Sequence, residues 1–126
     1  MSTVALLIAA ILTIAIGAAH SLLGERWLIG PLLSPQRRQG ILEKSHFARQ
    51  ILRFAWHLTT MAWWGFAAIL AVLALSPPDL QSRIILPIIA ATFVVTGGTI
   101  LVVSRGRHLA WPVFLAIVAL SHVPLL

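Results

Sequence analysis

The chain has 126 residues, 60% of them hydrophobic and only 10% charged, and its mean hydropathy is +0.98. Soluble domains carry about 25% charged residues, and a chain of this length buries too little surface to hide so many apolar side chains, which excludes an ordinary soluble fold. The net charge of +6 comes from basic residues between apolar runs, which favours anionic lipid headgroups rather than nucleic acid as the binding partner. The chain has no cysteine, which excludes disulfides and thiolate sites.

Four apolar runs follow one another along the chain, at residues 4–23, 51–75, 84–103 and 109–126. Each is close to the roughly 17–25 residues that an α-helix needs to cross a hydrocarbon core of about 30 Å. None shows the alternation of a membrane strand, and a helix in lipid satisfies its backbone polar groups internally. The sequence therefore predicts an all-α, polytopic membrane protein, a single domain over residues 1–126 built as an antiparallel bundle of four transmembrane helices.

The connections between the runs differ in length and composition. The first, residues 24–50, is the longest, and it places Leu42 and Phe47 among charged side chains. This pattern is typical of a short amphipathic helix at the membrane interface, and we expect one that leads into the second span. The other two connections, residues 76–79 and 104–107, are short turns, and the prolines of the first stop the preceding helix. Short turns predict antiparallel neighbours.

The distribution of basic residues predicts the orientation. Eight of the nine Lys and Arg residues lie in or beside the first and third loops, whereas Arg83 lies in the second, near Asp79. Positively charged loops stay in the cytoplasm, so we expect a protein of the cell inner (plasma) membrane with both the N- and C-termini outside. Trp27, Trp56 and Trp111 fall at the predicted cytoplasmic boundary, where an aromatic belt is expected.

Polar or small residues recur at helical spacing in every span, so that each span carries them on one face. These polar stripes contain Thr13, Gly17, His20 and Gly24 in the first span, Arg53, His57, Thr60 and Trp64 in the second, Thr92, Thr96 and Thr99 in the third, and His108, Trp111 and His122 in the fourth. We expect the stripes to point into the bundle. Their glycines and threonines also suit simple packing of helices.

Ionisable residues gather near the cytoplasmic ends of the spans. An ionisable residue inside a span indicates function, so the principal candidates for binding a ligand or a metal are His20, Glu25, His57 and His108. Secondary candidates are Glu43, His46, Arg53, Thr60 and Trp64. His122 lies near the opposite end and is separate.

Three ligands remain open for this cluster. Imidazoles with a carboxylate suit a transition metal, but the single Glu43-x-x-His46 motif does not make the full di-iron site of a helical bundle. Two histidines from facing helices suit haem b, as in membrane cytochromes. Arg53, Arg105 and Arg107 suit the headgroup of an anionic phospholipid.

The sequence thus predicts a small integral membrane protein that binds a metal, haem or an anionic headgroup at the cytoplasmic membrane face. Its partners are the lipid bilayer and a homo-oligomer or larger membrane complex, and no nucleic acid is expected. Two alternatives stay open: a membrane enzyme that uses the His/Glu cluster for metal-assisted or acid–base chemistry, and a structural or accessory subunit without a ligand. No nucleophile elbow, H-E-x-x-H motif or phosphate loop decides between them.

Overall fold

The computed structural model describes residues 2–122, and the regular secondary structure of this part is entirely helical, as the sequence predicts. A π-helical turn, Glu25–Ile29, continues the first helix into the second, and Gly30 N–H closes it on Glu25 O. The helices are α1 (Thr3–Gly24), α2 (Gly30–Leu32), α3 (Ile41–Lys44), α4 (His46–Leu75), α5 (Leu80–Ser104) and α6 (Ala110–Ser121).

Three helical segments are long and apolar enough to cross a membrane: Thr3–Leu32, His46–Leu75 and Leu80–Ser104. The fourth predicted span, residues 109–126, contains α6, whose 12 residues give a length of about 18 Å at a rise of about 1.5 Å per residue. That is less than the roughly 30 Å of a hydrocarbon core. Residues 123–126 of that predicted span lie outside the described residues.

Where the sequence predicts a short helix that leads into the second span, the structure has a divided one. The one-turn helix α3 ends at Ser45, whose backbone is extended, and α4 then begins at His46. The Ser45 hydroxyl accepts from Ala48 N–H at 3.1 Å, which caps the new helix, because a serine oxygen satisfies a free N–H of a first turn. Arg49 Nη1 donates to Leu42 O at 2.7 Å and so ties α3 to α4.

The chain packs as two units, residues 17–63 and residues 2–16 together with 64–122. In the second unit, α5 packs against α6 through Phe93 and Phe114, whose ring centroids are 5.5 Å apart. Gly97 permits this approach, because a Cβ there would lie 3.2 Å from Phe114 Cβ. At the start of α5, Asp79 and Ser82 form a reciprocal capping box, which ends the turn that follows the two prolines.

The prediction that every polar stripe faces inward was wrong for α5 and α6. The buried residues of α5 include Leu86, Ile89, Phe93 and Gly97, and those of α6 are Ala110, Phe114, Ile117 and Ser121. Thr92 and Thr99 are exposed, as are His108 and His122. The Thr92 and Thr96 hydroxyls donate to carbonyls of their own helix, and a hydroxyl satisfied in this way does not need an interior partner.

Candidate functional site

The unit of residues 17–63 joins the end of α1 to the beginning of α4 through one face of each helix. On α1 this face contains Gly17, Ser21 and Gly24, and it continues into Glu25 of the π turn. On α4 it contains Arg53, Trp56, His57 and Thr60. Residues three and four apart lie above one another on a helix, so both sets form continuous stripes. Nearly all the polar contacts of the site are made between these two stripes.

Two hydroxyl groups form the deeper half of the site. Thr60 is buried, and its Oγ1 donates to Gly17 O at 3.1 Å. The same oxygen lies 2.8 Å from Ser21 Oγ, which in turn lies 2.8 Å from His57 Nδ1. A continuous chain of hydrogen bonds therefore runs from the backbone of α1 to one nitrogen of the His57 ring.

The outer half of the site is charged. Glu25 Oε2 lies 3.3 Å from His57 Nε2, and Glu25 Oε1 accepts from Arg53 Nη2 at 2.9 Å. The carboxylate thus bridges an imidazole and a guanidinium of α4. The three side chains are between 31% and 50% exposed, so solvent screens the pairs and each contributes at most about 1 kcal/mol to stability.

An aromatic group surrounds His20, one residue before Ser21. The His20 ring stacks on Trp56 with centroids 4.4 Å apart and planes 8° apart, and it meets the Trp63 ring edge-on at 5.0 Å. Gly24 makes room for the indole, because a Cβ at Gly24 would overlap the Trp56 ring. The principal candidate His20 is therefore half-buried against two tryptophans, and its Nε2 lies 3.3 Å from Trp56 O.

A basic groove of about 410 Å³ lies beside the charged half of the site. Its lining comprises Leu33, His46, Arg49, Gln50, Arg53 and Phe54. Five of these residues follow the three-and-four spacing of one face of α4, and none of the six is acidic. Arg49 is oriented by the Leu42 and Glu43 carbonyls, at 2.7 and 3.2 Å from its Nη1. The groove thus combines fixed cationic donors with apolar walls.

Of the residues that the sequence singles out, the structure brings Glu25, Arg53, His57 and Thr60 into one connected set. Sequence reasoning did not select Ser21, Trp63, Arg49 or Gln50. Ser21 had a usable signal, because it lies four residues before Glu25 on the same face, and Arg49 lies four residues before Arg53. Trp63 had no such signal, because the helical spacing places its neighbour Trp64, and not Trp63, on the face of His57.

The remaining candidates lie elsewhere. Glu43 is on α3, where its side chain is exposed. Trp64 Nε1 donates to Ile14 O at 3.2 Å. Between α5 and α6, Arg105 adopts a left-handed backbone with φ of 51°, Arg107 is exposed, and His108 Nδ1 accepts from Ala110 N–H at 3.2 Å. Trp64, Arg105, Arg107 and His108 belong to the unit of residues 2–16 and 64–122.

Within residues 2–122, no group of three or more His, Asp or Glu side chains is arranged to hold a metal ion. Both ring nitrogens of His57 have partners, Ser21 and Glu25. Comparison of the chain with protein-family models, with curated proteins and with solved structures returned no match.

Proposed function

We propose that the chain is an integral membrane protein that binds the phosphate of an anionic phospholipid headgroup in the basic groove of α4. The observation that carries the proposal is the placement of His46, Arg49 and Arg53 on one face of α4, around a groove with apolar walls. A phospholipid headgroup presents anionic oxygens next to apolar chains, which is the complement of such a groove.

Membrane insertion is supported by the surface of the chain. Large apolar side chains are exposed on every long helix, including Val4 at 65%, Val72 at 62% and Val95 at 67%. In water, exposed apolar surface on this scale leads to association or aggregation, whereas lipid tails solvate it. The hydroxyls of Thr92 and Thr96, which bond within their own helix, are also suited to lipid.

The groove offers several donors to a phosphate. Arginine carries five N–H groups, so Arg49 and Arg53 retain free donors after their contacts with carbonyls and with Glu25. The Gln50 side-chain amide and the His46 ring add further N–H donors on the same face. Leu33 and Phe54 provide the apolar contacts for the glycerol backbone and the first part of an acyl chain.

The other predicted ligands are less well supported. A metal site needs three or four ligating side chains, and the described residues offer no such group. Haem ligation by His57 would replace the contact of one ring nitrogen with Ser21 or Glu25. Acid–base chemistry at Glu25 and His57 and a purely structural role are the alternatives, and a purely structural role predicts equal retention of anionic and zwitterionic lipids.

The proposed topology has four spans with both termini outside, so that the groove lies at the cytoplasmic face. The boundary of α4 supports this placement, because His46, Arg49 and Arg53 precede residues 54–75, which contain no Lys, Arg, Asp or Glu. Arg37 and Arg38, in the preceding connection, add positive charge on the same stretch of chain.

The experiment is lipid retention by the purified full chain, measured by native mass spectrometry in detergent. Phosphatidylglycerol and phosphatidylcholine with identical acyl chains are offered in parallel, with inorganic phosphate as a competitor. Wild type is expected to retain phosphatidylglycerol preferentially and to keep it against phosphate. Arg49→Gln and Arg53→Gln should each lower retention about tenfold or more, because a charge-assisted hydrogen bond contributes about 1.5–3 kcal/mol.

Arg83→Gln is the matched control, because it removes the same charge outside the groove. It should leave retention at the wild-type level. Equal binding of both lipids, or wild-type retention in both groove variants, would contradict the proposal. Displacement by phosphate would show that the groove recognises the free anion instead.

A further inference from the structure

The contacts around His57 indicate how many protons its ring carries, and therefore the charge of the ring. Three contacts follow one another on the Nδ1 side of the ring: His57 Nδ1 to Ser21 Oγ at 2.8 Å, Ser21 Oγ to Thr60 Oγ1 at 2.8 Å, and Thr60 Oγ1 to Gly17 O at 3.1 Å. Each contact needs one proton. The two hydroxyls supply one proton each, and a carbonyl oxygen supplies none. Three full hydrogen bonds therefore need a third proton, and His57 Nδ1 is the group that can supply it.

The direction of the chain follows from this count. Thr60 donates to Gly17 O, so its oxygen is left to accept from Ser21. Ser21 has then used its only proton, and its oxygen accepts from the ring. If Nδ1 carried no proton, two of the three contacts would have to share one hydroxyl hydrogen, which would weaken both.

The other ring nitrogen also needs a proton. His57 Nε2 lies 3.3 Å from Glu25 Oε2, while Glu25 Oε1 pairs with Arg53 at 2.9 Å. Arginine is always charged, and its ion pair with Glu25 requires the carboxylate form. A carboxylate only accepts hydrogen bonds, so the proton of this contact belongs to Nε2.

We infer that Ser21, Glu25, His57 and Thr60 form a proton-binding site, in which His57 is an imidazolium that donates from both ring nitrogens. The charged and titratable groups that face the ring are Glu25 from the π turn and Arg53 from its own helix. The two N–H groups of the His57 ring join α4 to Ser21 of α1 and to Glu25 of the π turn. Two cations then share one carboxylate, which leaves a net charge of about +1 beside the groove. The inference does not depend on which ligand the groove holds.

The test is solid-state NMR of the full chain in bilayers, labelled with ¹⁵N-histidine and observed at neutral pH. The His57 signals are assigned by their loss in His57→Gln. Wild type is expected to give two N–H correlations from the His57 ring. Thr60→Val removes the hydroxyl that Ser21 donates to, so the Ser21 proton becomes available to Nδ1, and one of the two correlations should be lost.

Thr92→Val is the matched control, because the Thr92 hydroxyl bonds only to Ile88 O among the contacts described and lies on α5. It should leave both His57 correlations in place. An unprotonated nitrogen in wild type would overturn the inference and would mean that Ser21 donates to His57. Two correlations that persist in Thr60→Val would overturn the role of the hydroxyl chain. Neither result bears on lipid retention, so this inference and the proposed function fail separately.

Discussion

His20 of α1 and Trp56 of α4 make three contacts with each other, one between their rings and two between a ring and a backbone carbonyl. Their rings stack with centroids 4.4 Å apart, Trp56 Nε1 donates to His20 O at 3.2 Å, and His20 Nε2 lies 3.3 Å from Trp56 O. Each ring therefore contacts the backbone of the residue on which it stacks. This pair lies on the turn next to Ser21 and His57 and fixes the spacing of the two helices at the polar site.

Trp56→Phe tests the reciprocal arrangement. Phenylalanine keeps an aromatic face for His20 but loses the donor to His20 O, so we expect the chain to be less stable by about 1 kcal/mol. The measurement is the apparent Tm in detergent. Trp27→Phe, at a tryptophan that is 68% exposed, is the control and should leave Tm unchanged. An equal loss in both variants would mean that the hydrogen bond from Trp56 Nε1 to His20 O contributes nothing specific.

Gly24→Ala tests the close approach of α1 to the Trp56 indole. A methyl group at position 24 would overlap the ring, so we expect a loss of about 1–3 kcal/mol as the helices separate. Gly98 is the matched control, because it lies inside α5 and a Cβ there meets nothing within 4 Å. Gly98→Ala should raise stability slightly, since alanine is the better helix former. A neutral Gly24→Ala would show that the helices pack more loosely than described.

The sequence predicted those parts of the fold that depend on local pattern. The apolar runs gave the long helices α4 and α5 within a few residues at their ends, and the two prolines and Asp79 marked the turn before α5. It did not predict the continuation of α1 through Glu25, because Gly24 and the charged pair after it resemble a helix end.

The site was less predictable, because its contacts join residues far apart in the chain. Ser21 and His57 are separated by 36 residues, and serine is too common in helices to stand out by type. The threonine stripe of α5 was misjudged for a different reason. Spacing shows that Thr92, Thr96 and Thr99 share a face, but it does not show that the hydroxyls of Thr92 and Thr96 bond within the helix.

Glu25→Gln tests whether Arg53 is shared between the polar site and the groove. The substitution keeps the shape of the side chain and removes the negative charge that pairs with Arg53. We expect retention of phosphatidylglycerol to rise about two- to fivefold, which corresponds to the strength of an exposed ion pair. Glu43→Gln is the control at an exposed glutamate outside the groove lining. A fall in retention would show that Glu25 is needed to orient Arg53.

The absence of cysteine permits a clean test of orientation. Gln36, in the first loop, and Gln81, in the first turn of α5, are exposed residues of the same type, and each is replaced by cysteine in turn. A membrane-impermeant maleimide applied to intact cells should label Gln81→Cys and not Gln36→Cys, because the proposed topology keeps the basic first loop in the cytoplasm. The reverse pattern would invert the topology.

A reporter fused after Leu126 completes that test by counting spans. Four spans place it outside, on the same side as the N-terminus, whereas three spans would place it in the cytoplasm.

The most direct test of the central claim is photo-crosslinking of a phosphatidylglycerol analogue that carries a diazirine in its headgroup. The full chain is reconstituted with this lipid, irradiated and digested, and the modified peptides are identified by mass spectrometry. If the groove binds the headgroup, crosslinks are expected to concentrate between Leu33 and Phe54, and Arg49→Gln combined with Arg53→Gln should abolish them there. Crosslinks confined to peptides of α5 and α6, or unchanged in the double variant, would contradict the proposal.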